Sequence, residues 1–285
     1  QYIGKWGATI ISILPLFVLT AFRGLDVGND TYNYYHTYQT IRYVDNLSDL
    51  FSYSRMEWLF LTVAWISNKV GLSYFGFQIL VAFITYTCLS FFIKKYSVNA
   101  ALSCLIFVLM RFICGPMNVV RMYLAIGFLL SAFSYLEKEK LINFILLVIL
   151  AAGFHKSGYL FMVMFPLSFL KNNWRNIAVM ILTSIIVAFI GKDFFYAITE
   201  ASGYYQGYVE GVYFENENRL AVVLTLLLDL IFFVVITWNS DKIKSYFNDR
   251  LFNIIYFCII LVICIDVIGL TNTIMGRISG LFSIL

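Results

Sequence analysis

Long apolar runs, repeated along nearly the whole chain, limit what this sequence can become. They fall near residues 6–22, 57–70, 73–93, 99–114, 117–136, 141–154, 158–170, 175–191, 220–238 and 250–270, with a partial run after 276. A helix of about 20 apolar residues crosses a bilayer, and several of these runs reach or approach that length. Over 285 residues the chain is 61% hydrophobic and 13% charged, against roughly half and a quarter in an ordinary soluble domain. One soluble core cannot hide that much apolar surface, so lipid is the expected solvent. The runs are continuous and do not alternate, which excludes the β-barrel pattern. The expected class is all-α: a polytopic transmembrane bundle of about 9–11 membrane helices in a single integral membrane domain over 1–285. The chain stops in mid-run at "GRISGLFSIL", so we expect it to be part of a longer protein.

Charge places the loops. Lysine-bearing turns occur at "KKY" (94–96), "EKEK" (137–140), "KNNWR" (171–175) and "SDKIKSYFNDR" (240–250). Positive charge in short loops marks the cytoplasm, and an even number of runs separates each turn from the next, so all four can share that side. The outer side then holds the block 23–56, the turns at 111–121 and 154–158, the loop 192–219 and the segment around Arg277. One conflict stands: two runs, 57–70 and 73–93, lie between an outer block and a cytoplasmic Lys94, where an odd number of crossings is required. The 57–70 run is short, about 21 Å at 1.5 Å per residue, and is read as an interfacial or re-entrant helix.

Lysine is then mostly inside, and arginine mostly outside: Arg23, Arg42, Arg55, Arg111, Arg121, Arg219 and Arg277. Insertion explains the lysines but opposes the outward arginines. Arginine grips phosphate or carboxylate with a fixed, permanently charged fork, so several at one mouth of a bundle suit an anionic lipid headgroup or diphosphate. The plainer reading is local pairing, such as Arg23 with Asp26, or snorkelling to the interface. No basic run points to nucleic acid. The five cysteines read as small core residues, and two histidines without an H-E-x-x-H pattern give no protein-held zinc site.

The stretch "RGLDVGNDTYNYY" opens the outer block. Asp30 is positioned to N-cap a helix starting at Thr31, which puts Tyr32, Tyr35 and Tyr38 on one face, as interfacial anchors or as a platform for sugars. Asp26 and Asp30 are caps and ion-pair partners or site residues. His155, in "FHKSG", lies between lysine turns too close together for two full crossings, so its turn is expected below the outer surface. There a polar turn needs protein or water around it. It is then a site base or a histidine bonded to a neighbouring helix end. Asp229, within the 220–238 run, is a second intramembrane acid, serving packing or a pathway.

Taken in order, "RGLDVGNDTYNYY", "MEWLFLTVAWISNKVG" with Glu57, "NVVRMYLAIGFLLSAFSYLEKEKLINFILLVILAAGFHKSGYLFM" and "MGRISGLF" resemble the EpsG family of bacterial polysaccharide proteins. Met122 departs from that pattern, which has Gln after the arginine. The family resembles the Wzy-type polymerases of O-antigen, capsule and exopolysaccharide. The resemblance implies a GT-C-like fold and a glycosyltransferase without metal or other cofactor. Its substrate would be a polyprenyl-diphosphate-linked oligosaccharide at the outer face of the bacterial cytoplasmic (inner) membrane. Flippase and chain-length-regulator proteins would be its partners. His155, Glu57 or Asp30 would supply the base, in that order. Arg23, Arg111, Arg121 and Arg277, with Asp26, Tyr32 and Tyr35, would hold substrate, and the 192–219 loop would act as a lid. A flippase or exporter would also want a basic cavity, but its charges should line both sides and its halves should repeat. A membrane O-acyltransferase would have the central His without the arginines. An O-antigen ligase would differ only in its acceptor.

Overall fold

The computed structural model describes residues 4–202, 219–270 and 275–284. Among these residues every regular element is helical, which agrees with the expected all-α polytopic bundle. The chain divides into two compact units, Gln1–Met162 and Val163–Leu285.

The first unit contains α1 (Lys5–Ala21), α2 (Thr31–Thr40), α3 (Leu47–Tyr53), α4 (Trp58–Lys69), α5 (Tyr74–Tyr96), α6 (Ala100–Leu109), α7 (Cys114–Asn118), α8 (Val120–Glu137) and α9 (Leu141–Phe154). Helix α8 is its centre, buried on nearly every face and packed between α5 and α9. Starts are set by side chains that take up the free N–H groups of a first turn. The Ser73 hydroxyl accepts from Gly76 N–H at the head of α5, and Asn99 accepts from Leu102 N–H at the head of α6. Gly71 ends α4 in a left-handed turn (φ +83) that most side chains resist.

The two ends of this unit differ in chemistry. At one end Lys94 lies 3.9 Å from the Trp6 ring centre, and Lys95 and the Tyr96 hydroxyl both donate to Glu137 at 2.7 Å. The start of α1 and the ends of α5 and α8 therefore gather there, as the lysine-bearing turns require. The arginine-bearing turns gather at the other end. Helix α4 has both its ends with that polar rim: Glu57 meets Arg121, while Asn68 donates to the Tyr38 carbonyl at 2.8 Å and Lys69 pairs with Asp45. At 12 residues it is about 18 Å long. It leaves α5 to make the single traverse to Lys94, which removes the topological conflict.

The second unit contains α10 (Met164–Leu167), α11 (Trp174–Ser202), α12 (Arg219–Trp238), α13 (Ser240–Tyr246), α14 (Asp249–Gly269) and α15 (Met275–Ser279). Helix α14 is its centre, packed by α11, α12 and α15 around Phe252, Tyr256, Phe257, Ile260 and Cys264.

Among the described residues four helices are long and apolar enough to cross a membrane: Tyr74–Tyr96, Val120–Glu137, Leu220–Trp238 and Asp249–Gly269. Four shorter apolar helices accompany them: Lys5–Ala21, Ala100–Leu109, Leu141–Phe154 and Trp174–Ile190. Two expectations need correction. The 158–170 run is a 3₁₀ stretch (Lys156–Val163) followed by the one-turn α10, because Gly158 and Pro166 interrupt it. The expected loop 192–219 is helical through Ser202, where α11 runs past its apolar part. Residues 203–218 of the proposed lid lie outside the described residues. Of the cysteines, Cys104, Cys258 and Cys264 are buried as expected, Cys88 is partly buried, and Cys114 is exposed.

Candidate functional site

The polar end of the first unit is assembled from four segments. Val119 (φ −94, ψ 59) separates the short α7 from α8, which leaves Arg121 in the first turn of α8. Two glycines allow the close approach that follows. At Gly115 a Cβ would lie 1.9 Å from the Tyr123 ring. At Gly28 (φ +93) a Cβ would lie 2.3 Å from the Met117 carbonyl oxygen. The opening block therefore docks directly on the α7–α8 junction. The Asp30 N–H donates to Asn118 Oδ1 at 3.1 Å, and the Thr31 hydroxyl donates to Val27 O at 2.6 Å.

Arg121 is the hub. Its Nη1 donates to Glu57 Oε2 in an ion pair, and its guanidinium carbon lies 5.8 Å from the Tyr34 ring centre. Glu57 occupies the N-cap position of α4, with its side chain 9% exposed. Its second oxygen, Oε1, accepts the Lys156 N–H at 3.2 Å. Gly153 lets the end of α9 lie against Trp58 and Leu59, where a Cβ would come within 2.9 Å of Leu59. One carboxylate thus joins the starts of α4 and α8 to the turn after α9. His155 is the residue before Lys156; it is half-buried, with Nδ1 2.5 Å from the Ser157 hydroxyl. Burial pushes the Tyr34 phenol above its ordinary pKa, and the Arg121 charge opposes that shift.

A narrow pocket of about 10 Å³, room for about one water molecule, adjoins this cluster through Tyr34. Arg23 lines it, at 9% exposure, together with Thr20, Tyr74, Gln78 and Thr85. Arg23 Nη1 donates to the Thr20 carbonyl at 2.8 Å, and Gln78 Nε2 donates to the carbonyls of Ala21 and Arg23 at 2.9 and 3.0 Å. Burial lowers the Arg23 pKa.

Sequence-selected residues therefore separate into groups. Arg121 and Glu57 meet, and His155 adjoins the backbone group that Glu57 holds. Arg23 sits in the neighbouring pocket without the pairing to Asp26 that the plainer reading offered, and Asp26 is exposed. Asp30 stands at the start of α2 as expected, but its side chain makes no capping bond. The expected Tyr32, Tyr35 and Tyr38 face is replaced by Thr31, Tyr34 and Tyr38. Tyr32 is exposed, and Tyr35 packs edge-on against Tyr74 at 5.3 Å. Arg111 is exposed on the turn before α7, at an unusual φ of +61. Arg277 lies on α15 of the second unit. In that unit Asp229 and Asp266 are buried on α12 and α14. Tyr34 was missed; the available signal was the i, i+3, i+7 spacing of Thr31, Tyr34 and Tyr38. Among the described residues no three His, Cys, Asp or Glu side chains gather in a metal-holding group.

These features define an all-helical, multi-pass membrane protein with a partly buried arginine–glutamate pair at one end of its first unit. The EpsG family model matches residues 8–285, and the chain belongs to that family. It is 23% identical over 185 residues to the amylovoran biosynthesis protein AmsC of Erwinia amylovora, a match covering 64% of this chain and 49% of that protein. The chain spans about half the length of that curated relative. No solved structure gives a significant match.

Proposed function

We propose that the protein polymerises bacterial surface polysaccharide by glycosyl transfer between polyprenyl-diphosphate-linked repeat units, at the outer face of the cytoplasmic membrane. The observation that carries this reading is the Glu57–Arg121 pair beside the His155 turn, in a chain of the EpsG family. The relative named for amylovoran biosynthesis supports the same direction.

In this reading Arg121 binds the donor diphosphate; Arg277, carried by the second unit, is proposed separately as a substrate-binding residue. His155 takes the proton from an acceptor sugar hydroxyl, whose oxygen then attacks the donor's anomeric carbon. The bond from that carbon to the diphosphate oxygen breaks, and the lipid diphosphate leaves with the electron pair. Arginine charge stabilises the leaving group as its charge grows. Glu57 is better suited to aiming Arg121 than to acting as base, because both its oxygens are engaged. Arg23 stands outside the clamp, since its pocket is too small for a diphosphate. Arg111, exposed at the rim, is available to steer the anionic substrate. Asp26, Tyr32 and Tyr35 remain rim residues for the glycan, with Asp30 an alternative base.

Cells lacking the protein and complemented with wild type should show a ladder of surface glycan. Well-expressed Arg121→Ala or His155→Ala should leave single repeat units. Unchanged ladders from both variants would refute this assignment. Normal polymer that fails to reach its final acceptor would instead identify a ligase.

A further inference from the structure

The first unit holds two arginines away from open solvent, Arg121 half-buried and Arg23 buried. Arg121 has Glu57. Among the described residues Arg23 has no carboxylate within ion-pair distance, its Nε, like that of Arg121, has no acceptor, and the ionisable side chains that act on it are three phenols, Tyr74, Tyr34 and Tyr86. A buried charge with no counter-charge is strongly destabilising. The phenols cannot supply one near neutral pH, because a tyrosine loses its proton only near pH 10. Nor does the neighbouring amide, since Gln78 spends its Nε2 on the carbonyls of Ala21 and Arg23. The backbone around Arg23 offers it only an acceptor dipole, at Thr20. What remains is the pocket that Arg23 lines, whose volume admits one water-sized occupant.

We infer that this pocket is a site for a single monoatomic anion of the chloride class. The anion neutralises Arg23 and locks the end of α1 against α5. A multi-atom oxyanion such as phosphate or diphosphate is too large for it. The ion takes part in no bond-making, and the inference holds whether or not the protein is a polymerase.

The test uses full-length protein in nanodiscs, with thermal unfolding followed by tryptophan fluorescence. Gluconate is replaced stepwise by chloride at constant ionic strength, and bromide and phosphate are run in parallel. Tm should rise by roughly 3 °C for each tenfold increase in chloride above its Kd. Bromide should act alike and phosphate should not. Arg23→Gln should abolish the halide dependence and Arg23→Lys should retain some of it. If Arg23→Gln fails to fold, the wild-type titration still decides. A flat wild-type Tm overturns the inference. So does a rise with phosphate but not halide, which would make the pocket the inner end of a substrate phosphate site. An equal halide response in wild type and Arg23→Gln also overturns it. Polymerisation is read separately from glycan ladders, so failure of the enzymatic reading leaves this result standing.

Discussion

Replacing Glu57 by Gln removes the charge that balances Arg121 and leaves the shape of the site nearly unchanged. The Glu57 side chain is 9% exposed and that of Arg121 is 23% exposed. Removing one partner of a fully buried pair costs about 3–5 kcal/mol. Arg121 keeps some access to water and the new amide can still accept one hydrogen bond, so about 2 kcal/mol is expected here. The amide oxygen cannot serve Arg121 and Lys156 N–H as two carboxylate oxygens do, so the turn carrying His155 should loosen as well. For a chain of 285 residues that corresponds to a Tm lowered by roughly 3–5 °C, measured by tryptophan fluorescence in nanodiscs. The double variant Glu57→Gln/Arg121→Gln should lose at least about 1 kcal/mol less than the sum of the single variants, because the lone charge is gone. A Tm within about 1 °C of wild type for Glu57→Gln, or strict additivity in the double variant, would refute the reasoning.

Other outcomes follow from the same geometry. Tyr34→Phe keeps the ring beside Arg121 and removes the hydroxyl; polymer yield should fall roughly tenfold or less at unchanged membrane level, read from glycan ladders. Because burial raises the Tyr34 pKa in the folded state, the associated stability is complete below the unfolded value near pH 10 and is lost as pH rises through the folded value. Wild-type Tm should therefore drop above about pH 10, and that drop should be shallower in Tyr34→Phe. Gly28→Ala forces a side chain into a left-handed turn against the Met117 carbonyl; it should cost about 1–3 kcal/mol, seen as a lower Tm. His155→Asn should reduce chain extension by about 100-fold or more with unaltered abundance, measured on radiolabelled glycan.

Much of the fold was readable because lipid leaves few options. Backbone polar groups in hydrocarbon must bond within a helix, so long apolar runs such as 73–93 and 250–270 return as α5 and α14. Where a run was short or broken, length misled: 158–170 contains Gly158 and Pro166 and forms a 3₁₀ stretch followed by a single helical turn. Charge misled at 192–202, where Lys192, Asp193 and Glu200 read as loop although the segment holds no proline and continues α11. In the site, Arg121, Glu57 and His155 stood out as charges at the heads or ends of apolar runs. Tyr34 did not, since which face of α2 turns inward depends on docking to Met117 and Asn118, contacts more than 80 residues away in sequence. The local tyrosine spacing alone could not choose between Tyr32 and Tyr34.

The most direct test of the central claim is chain growth by the purified full-length protein. It would be reconstituted in liposomes with polyprenyl-diphosphate-linked repeat units as the sole substrate, without nucleotide. The account predicts a ladder of lengthened lipid-linked glycan and release of polyprenyl diphosphate in equal amount, both lost in Arg121→Ala and His155→Ala. Repeat units recovered unextended from correctly folded wild type would contradict it. Repeat units moved intact across the bilayer would assign the protein to transport instead.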